Sequence, residues 1–473
     1  MIRSRTFWLG LAAFLAVSLG PRLWMYERAA GPLAPGVMIA GLDVTSAHTL
    51  SEAAQTLNDA LTQPVTVHYG DQSLPLRPAD IGFRIDWTAT LTEAASYRQG
   101  FHFWRGFAAS VAHQPPPRVD VPLRFSLDTQ ALATWLNDVA ASHDRAPIPP
   151  KAIAGSGQIV SGKPGQRLDA QASVPDLVAA LTRADNREMA LVIREEPAPA
   201  PTFSLLRDAL QARLQDFPGI ASVWVRDMRN RREIGINEEV AYAAMSTIKV
   251  AILEEAYRRL DAAPDVATTL LISETMRLSY NHTANALLSL TGDGSAEKGV
   301  AVLTDSLRRL GLRNTFMAAP YGQPLLSPPH IVTPANQRTD FDTKPDPYMQ
   351  TTAKDMGLLM EMIVECMDGK GTLVAAYPDQ IKPDECRQMV EWMGGVHTEA
   401  LLETGVPAGT PIAHKHGIIT DTHGDVAAIW GPNGPYIISV FLYQPEWLDL
   451  KVGATLMGDL SRITYEFLAN FPG

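Results

Sequence analysis

Ser246-Thr-Ile-Lys249 places a hydroxyl and an amine three residues apart. On a helix that spacing shares a face, so the lysine amine can reach the serine oxygen one turn below it. A lysine kept neutral by burial can take the serine proton, while a helix N-terminus stabilises the negative charge that develops. The chemistry this permits is nucleophilic attack by an activated serine oxygen. The flanking Ala243-Ala-Met245 and Val250-Ala-Ile-Leu-Glu-Glu-Ala-Tyr257 read as a buried helix, where an interior lysine would be costly without a purpose. The same spacing at Ser295-Ala-Glu-Lys298 lies in a Gly-rich turn and carries no such signal.

Two further groups follow in order. Ser279-Tyr-Asn281 offers a hydroxyl and an amide where a loop meets the helical His282-Thr-Ala-Asn-Ala-Leu-Leu; taken alone it reads first as a helix N-cap. Lys415-His-Gly417 precedes a strand pair, where glycine would let a substrate lie along the strand edge and lysine would attract a carboxylate, although Lys163-Pro-Gly165 shows how readily such pairs arise in turns. The informative feature is the ordered set: helical Ser-x-x-Lys, loop Ser-x-Asn and strand Lys-x-Gly, each in the secondary structure its role needs. His414, His416 and His423 cluster around the last of these. No carboxylate or cysteine completes a ligand set, so no metal is expected and the imidazoles read as facing solvent or substrate.

The elements that must position these residues are α+β throughout. After Gly31-Pro-Leu-Ala-Pro-Gly36, short β runs such as Val37-Met-Ile-Ala40 and Val65-Thr-Val-His-Tyr69 alternate with helical patterns. Gly82-Phe-Arg-Ile-Asp86 is echoed by Gly165-Gln-Arg-Leu-Asp169, each leading into a helix, as a duplicated half-domain or a coincidence would give. Glu195-Glu-Pro-Ala-Pro-Ala-Pro201 favours extended polyproline and reads as a spacer. Beyond it comes an amphipathic helix near Leu205 to Leu214, then the strand Ser222-Val-Trp-Val-Arg226. The chain ends with Gly424 to Trp430, the turn Gly431-Pro-Asn-Gly434, Tyr436 to Tyr443 and a helix over Lys451 to Leu468. Strands at both ends of a helical middle predict an antiparallel sheet flanked by helices, with a separate helical lobe. The expected divisions are 1–35, 36–194, the linker 195–202, and 203–473.

Composition removes several classes. With 473 residues, 46% hydrophobic and 19% charged, the chain is globular and long enough for about three domains. A net charge of −11 leaves no basic field to gather phosphates, so nucleic acid is not an expected partner. Arg3 and Arg5 precede the apolar run Phe7 to Leu19, the order of an export signal. The apolar character continues through Leu23, Trp24 and Tyr26 with no Ala-x-Ala site after Leu19, which favours a retained N-terminal hydrophobic helix over a cleaved signal and places the rest outside the cytoplasm, anchored to the membrane. In that oxidising setting Cys366 and Cys386 either pair or remain two buried thiols.

From about Phe203 to Gly473 the chain resembles class A β-lactamases and the wider penicillin-interacting serine hydrolases, through Ala244-Met-Ser-Thr-Ile-Lys-Val250, Ser279-Tyr-Asn-His-Thr-Ala-Asn285, Thr351-Thr-Ala-Lys-Asp-Met356 and His414-Lys-His-Gly417. The resemblance implies an acylated Ser246, Lys249 as its proton partner, and Ser279 relaying a proton to the leaving nitrogen. It implies a substrate site made by Asn281, Lys415, His416, Gly417 and Ile418, with the backbone N–H groups of Ser246 and Ile418 as oxyanion hole and no cofactor. From about Val37 to Arg194 it resembles the peptidoglycan-binding domain found beside cell-wall enzymes, through Gly41-Leu-Asp-Val44, Ile81-Gly-Phe-Arg-Ile-Asp86 and Gly162-Lys-Pro-Gly-Gln-Arg-Leu-Asp169. Departures are equally informative. The glutamate with an asparagine four residues on, which activates the deacylating water in class A enzymes, has no counterpart: between Asn314 and Thr351 the acids are Asp340, Asp342 and Asp346. Tyr280 stands where the family commonly has aspartate and His416 where it has a hydroxyl residue, and the Ser246–Ser279 connection is short enough to lack a substrate-gating loop. The expected partners are a β-lactam or a peptidoglycan stem peptide. The alternatives are a D-Ala-D-Ala peptidase or transpeptidase, an inactive wall-binding protein, and a glutaminase of the same general fold, which the export segment disfavours.

Overall fold

The computed structural model describes residues 17–28, 31–260, 262–323, 327, 330–394 and 400–471. Arg3, Arg5 and most of the apolar run from Phe7 lie outside the described residues. Residues 17–28 form a helix, α1. Among the described residues no helix is long and apolar enough to cross a membrane. The chain divides into two compact units, Met1–Ile148 with Lys163–Ala198, and Pro149–Gly162 with Pro199–Gly473.

The first unit is mixed α+β with two apolar clusters, one around Val65, Leu76, Ile81, Leu136 and Leu177, the other around Val37, Ile39, Leu57 and Leu91. The two echoed motifs build the same local structure. Arg84–Ile85 and Gly165–Leu168 are strands, and the aspartate after each, Asp86 and Asp169, caps the following helix by accepting from the N–H of Ala89 and Ala172. An aspartate at this position satisfies a donor that the first helical turn leaves unpaired. The helix Phe101–Val111, α2, buries only Gly106 and Phe107.

The second unit holds the hairpin of Lys151–Ala152 and Ile159–Val160, whose Ala152 and Ile159 pack on that unit's own core. Nothing in the linear sequence marks this excursion. The helix Phe203–Leu214 (α3) leads into a five-stranded antiparallel sheet of β1 (Ile220–Asp227), β2 (Glu233–Ile236), β3 (Ile412–Ile418), β4 (Thr422–Gly431) and β5 (Gly434–Tyr443), in the order β2-β1-β5-β4-β3. The two ends of the domain sequence therefore meet in one sheet, and β3 is its edge. Both faces are covered: Ile437, Phe441 and Tyr443 of β5 join the core shared with the helical lobe, while Tyr436, Ile438, Val440 and Leu442 join the core beneath the terminal helix α9 (Leu450–Asn470). This is why Tyr436 to Tyr443 reads as a nearly continuous apolar run instead of an alternating one. The lobe contains α4 (Lys249–Arg259), α5 (Val266–Ser273), α6 (Asn281–Thr291), α7 (Ala353–Cys366) and α8 (Pro383–Met393). Cys366 and Cys386 form a disulfide that ties α7 to α8.

Candidate active site

The serine does not stand on the helix. α4 begins at Lys249, and Ser246 lies in the turn before it, where the N–H groups of Lys249 and Val250 donate to the carbonyls of Ser246 and Thr247. Met245 takes a left-handed φ of 55°, which no helix accommodates. The strained residue leaves Ser246 half-buried at the helix N-terminus with its oxygen toward the lysine.

Lys249 is fully buried, and its Nζ lies 2.8 Å from Ser246 Oγ, 3.1 Å from Ser279 Oγ, 2.6 Å from the Ser279 carbonyl and 2.8 Å from Asn281 Oδ1. The last two atoms can only accept. In a neutral amine they take both N–H bonds, which turns the lone pair toward the two hydroxyls. Burial, and then the charge of Lys415, push the Lys249 pKa down to about 7. Half of the amine is thus a proton acceptor near neutrality, against a small fraction for an ordinary lysine.

Ser279 is not the N-cap of α6. It closes a single π-helical turn, Glu274–Leu278, in a left-handed conformation with φ 58°, and Tyr280 takes the capping position of α6. That conformation lets both its carbonyl and its hydroxyl meet one amine. Ser295, by contrast, caps the helix Ala296–Arg309, its oxygen accepting from Lys298 N–H at 3.3 Å. The two Ser-x-x-Lys copies differ in structure as their contexts do.

On the edge strand the alternation is decisive. Ala413, Lys415 and Gly417 face the helical lobe, whereas Ile412, His414, His416 and Ile418 face the opposite side. A methyl group built on Gly417 would lie 2.7 Å from both Met245 Cβ and Ser246 N, so the strand passes directly against the nucleophile. Lys415 is fully buried and donates to the His416 carbonyl at 3.0 Å. The structure therefore gathers Ser246, Lys249, Ser279, Asn281, Lys415 and Gly417 at one place and turns the His416 ring away from it. The Ile418 side chain packs on the core beneath α9.

The three histidines are buried, and do not face solvent or substrate as their spacing predicts. His414 Nδ1 stands 3.1 Å from each oxygen of Asp425, which faces His416 across the β3–β4 pair, and the His414 and His416 rings are 6.1 Å apart. Asp425 is the carboxylate that the linear sequence did not put beside them. Burial would lower the His414 pKa, but Asp425 and Glu403 outweigh it and push it up to about 9. With an unfolded value near 6.5, His414 contributes stability that is complete below about pH 6.5 while Asp425 stays ionised, and is lost as the pH rises through about 9, on the order of 3 kcal/mol. The melting temperature of the second unit should fall over that window, and His414→Gln should flatten the fall.

The three acids between Asn314 and Thr351 have partners of their own. Asp340 pairs with Arg338, Asp342 accepts from Lys344 N–H and Asp346 from Tyr348 N–H; among the described residues none hydrogen-bonds Ser246 or Lys249. The residue that reasoning from spacing missed is Tyr321. Its backbone is clamped by Asn285 through two 2.9 Å hydrogen bonds, its ring centroid is 4.9 Å from Lys249 Nζ, and its hydroxyl donates to the Met245 carbonyl at 2.7 Å. Burial pushes its pKa up, with Asp346 adding to the effect, so the phenol stays protonated. Asn285 closes the Ser279 motif, but nothing in the sequence links it to a tyrosine 36 residues on.

The profile of the beta-lactamase enzyme family matches residues 205–276 and 264–468, and that of the family described as "Putative peptidoglycan binding domain" matches residues 74–190. The chain is 27% identical over 95 residues to a beta-lactamase of Bacillus licheniformis, and 34% identical over 91 residues to beta-lactamase 3 of Bacillus cereus. These matches cover 20% and 19% of the chain but only 31% and 29% of the relatives, so the chain spans about a third of each curated relative it matches. A solved acyl-enzyme complex of PBP-A with penicillin G is 20% identical, with a TM-score of 0.45 over 58% of this chain and all of the other.

Proposed function

Since the chain belongs to the beta-lactamase enzyme family, with a peptidoglycan-binding domain ahead of the family region, we propose that it is an extracytoplasmic serine hydrolase that takes its acyl group from a β-lactam or from the D-Ala-D-Ala end of a peptidoglycan stem peptide. The observation that carries the reading is the Lys249 amine held between Ser246 Oγ and Ser279 Oγ by two obligate acceptors. Neutral Lys249 accepts the Ser246 proton as Oγ bonds to the carbonyl carbon. The oxyanion is stabilised by the N–H groups of Ser246 and Ile418. When the C–N bond breaks, Ser279 donates its proton to the leaving nitrogen and recovers one from Lys249. Lys415, on the same face, attracts the substrate carboxylate.

Release is the slow half. Among the described residues no carboxylate hydrogen-bonds Ser246 or Lys249, and the protonated Tyr321 ring covers one side of Lys249. This favours the peptidase or transpeptidase alternative over rapid lactam hydrolysis. Incubated with benzylpenicillin, the wild-type chain should gain one penicilloyl adduct that persists for minutes or longer in intact-mass spectra, and Ser246→Ala should gain none. Rapid turnover of a chromogenic cephalosporin would overturn the slow-release reading; absence of any adduct would favour a wall-binding protein without acylation.

A further inference from the structure

The chain carries a net charge of −11, yet residues 1–26 and 94–119 contain no acidic residue and six arginines: Arg3, Arg5 and Arg22 in one segment, Arg98, Arg105 and Arg118 in the other. The structure brings the two segments together. Tyr26 of α1 packs edge-on against Phe103 and Phe107 of α2, with ring centroids 5.5 and 5.7 Å apart, and Arg98 reaches the Glu27 carbonyl.

On the outward face of α2 stand Phe101, 75% exposed, and Trp104, 55% exposed, and the Arg105 guanidinium lies 5.8 Å from the Phe101 ring centroid. Residues at i, i+3 and i+4 share a face, so these three form one surface. On α1, Trp24 and Met25 are more than half exposed, and Arg28 lies 4.7 Å from the Trp24 ring centroid. Large aromatic side chains left in water beside arginines, on two helices whose one acid is Glu27, have the composition of elements that lie in the headgroup region of a bilayer. The last residues of the apolar run Phe7 to Leu19 form the start of α1.

We propose that α2 lies on the surface of an anionic phospholipid bilayer, with Phe101 and Trp104 inserted at the level of the headgroups and Arg105 paired with lipid phosphate. The contact is separate from the acyl chemistry and stands whether or not Ser246 is acylated. It makes α2 a membrane contact distinct from the terminal apolar run, one that fixes the first unit at the bilayer. Arginine near an anionic surface adds roughly fivefold in affinity per charge, and the gain is screened by salt.

The terminal run can hold the chain at a bilayer by itself, so the readout is the depth of α2 and not the bound fraction. The full chain carrying Trp104→Cys, labelled with an environment-sensitive fluorophore, is mixed with vesicles of equimolar phosphatidylglycerol and phosphatidylcholine that contain brominated lipid. Ser142→Cys, exposed on the helix Thr129–His143, is the control. The expected result is quenching at position 104 and none at 142, weakened by phosphatidylcholine alone, by salt and about fivefold by Arg105→Gln. Phe101→Cys supplies a second label site should Trp104→Cys fold poorly. A chain that floats with the vesicles while neither label is quenched, or that leaves the anionic vesicles unbound, would overturn the proposal.

Discussion

Lys249→Met should lower the rate constant for acylation of Ser246 by benzylpenicillin by about a thousandfold, within the range that a positioned general base supplies. The hydroxyl loses the amine that lies within hydrogen-bond reach, and methionine, close to lysine in length and apolar, leaves the buried position filled. The variant should remain folded, because a buried lysine replaced by an apolar chain removes a desolvation cost. The pH profile distinguishes a base from a structural amine. Wild-type acylation should rise with pH to a midpoint near 7, where Lys249 loses its proton, and fall about tenfold for each unit below that. Lys415→Met should move the midpoint upward, since removing the second cation makes the ammonium form of Lys249 easier to hold. Burial, the larger cause, remains, so the midpoint stays below that of an exposed lysine. A flat profile between pH 5 and 9 would reject Lys249 as the base.

The parts of this site that the sequence makes legible are those fixed by local spacing. Ser246 and Lys249 are three residues apart, and the strand periods of β1, β4 and β5 follow from their apolar runs and from the turn Gly431 to Gly434. Spacing alone misplaces what depends on backbone strain or on contacts between distant segments. The left-handed Met245 keeps Ser246 in the turn ahead of α4, and the left-handed Ser279 converts an expected N-cap into a lysine ligand. The Asn285–Tyr321 clamp and the cross-strand Asp425 join residues that no short motif connects. Strand alternation by itself separates Lys415 from His416, because neighbours on a strand face opposite ways. Assigning both to one substrate site follows the family motif and overlooks the period.

Gly417→Ala tests the other half of the geometry. The added methyl would meet Met245 Cβ and the Ser246 backbone nitrogen at 2.7 Å, closer than carbon approaches either, and neither group is the free end of a flexible side chain. Relief requires β3 to move away from the turn that holds the nucleophile. β3 is the edge of the sheet and is paired only with β4, so it is the element that yields. The shift separates the Ile418 N–H from the Ser246 N–H, the pair assigned to the oxyanion. Loss of one such donor costs about a hundredfold or more in rate. Acylation should therefore fall by about that factor, with stability lowered by about 1–3 kcal/mol from overpacking. The midpoint near pH 7 should hardly move, because Lys249 keeps its four neighbours. This separates the two variants: Lys249→Met removes the pH dependence, whereas Gly417→Ala keeps the profile and scales it down. An acylation rate unchanged by Gly417→Ala would place the oxyanion away from the β3 edge.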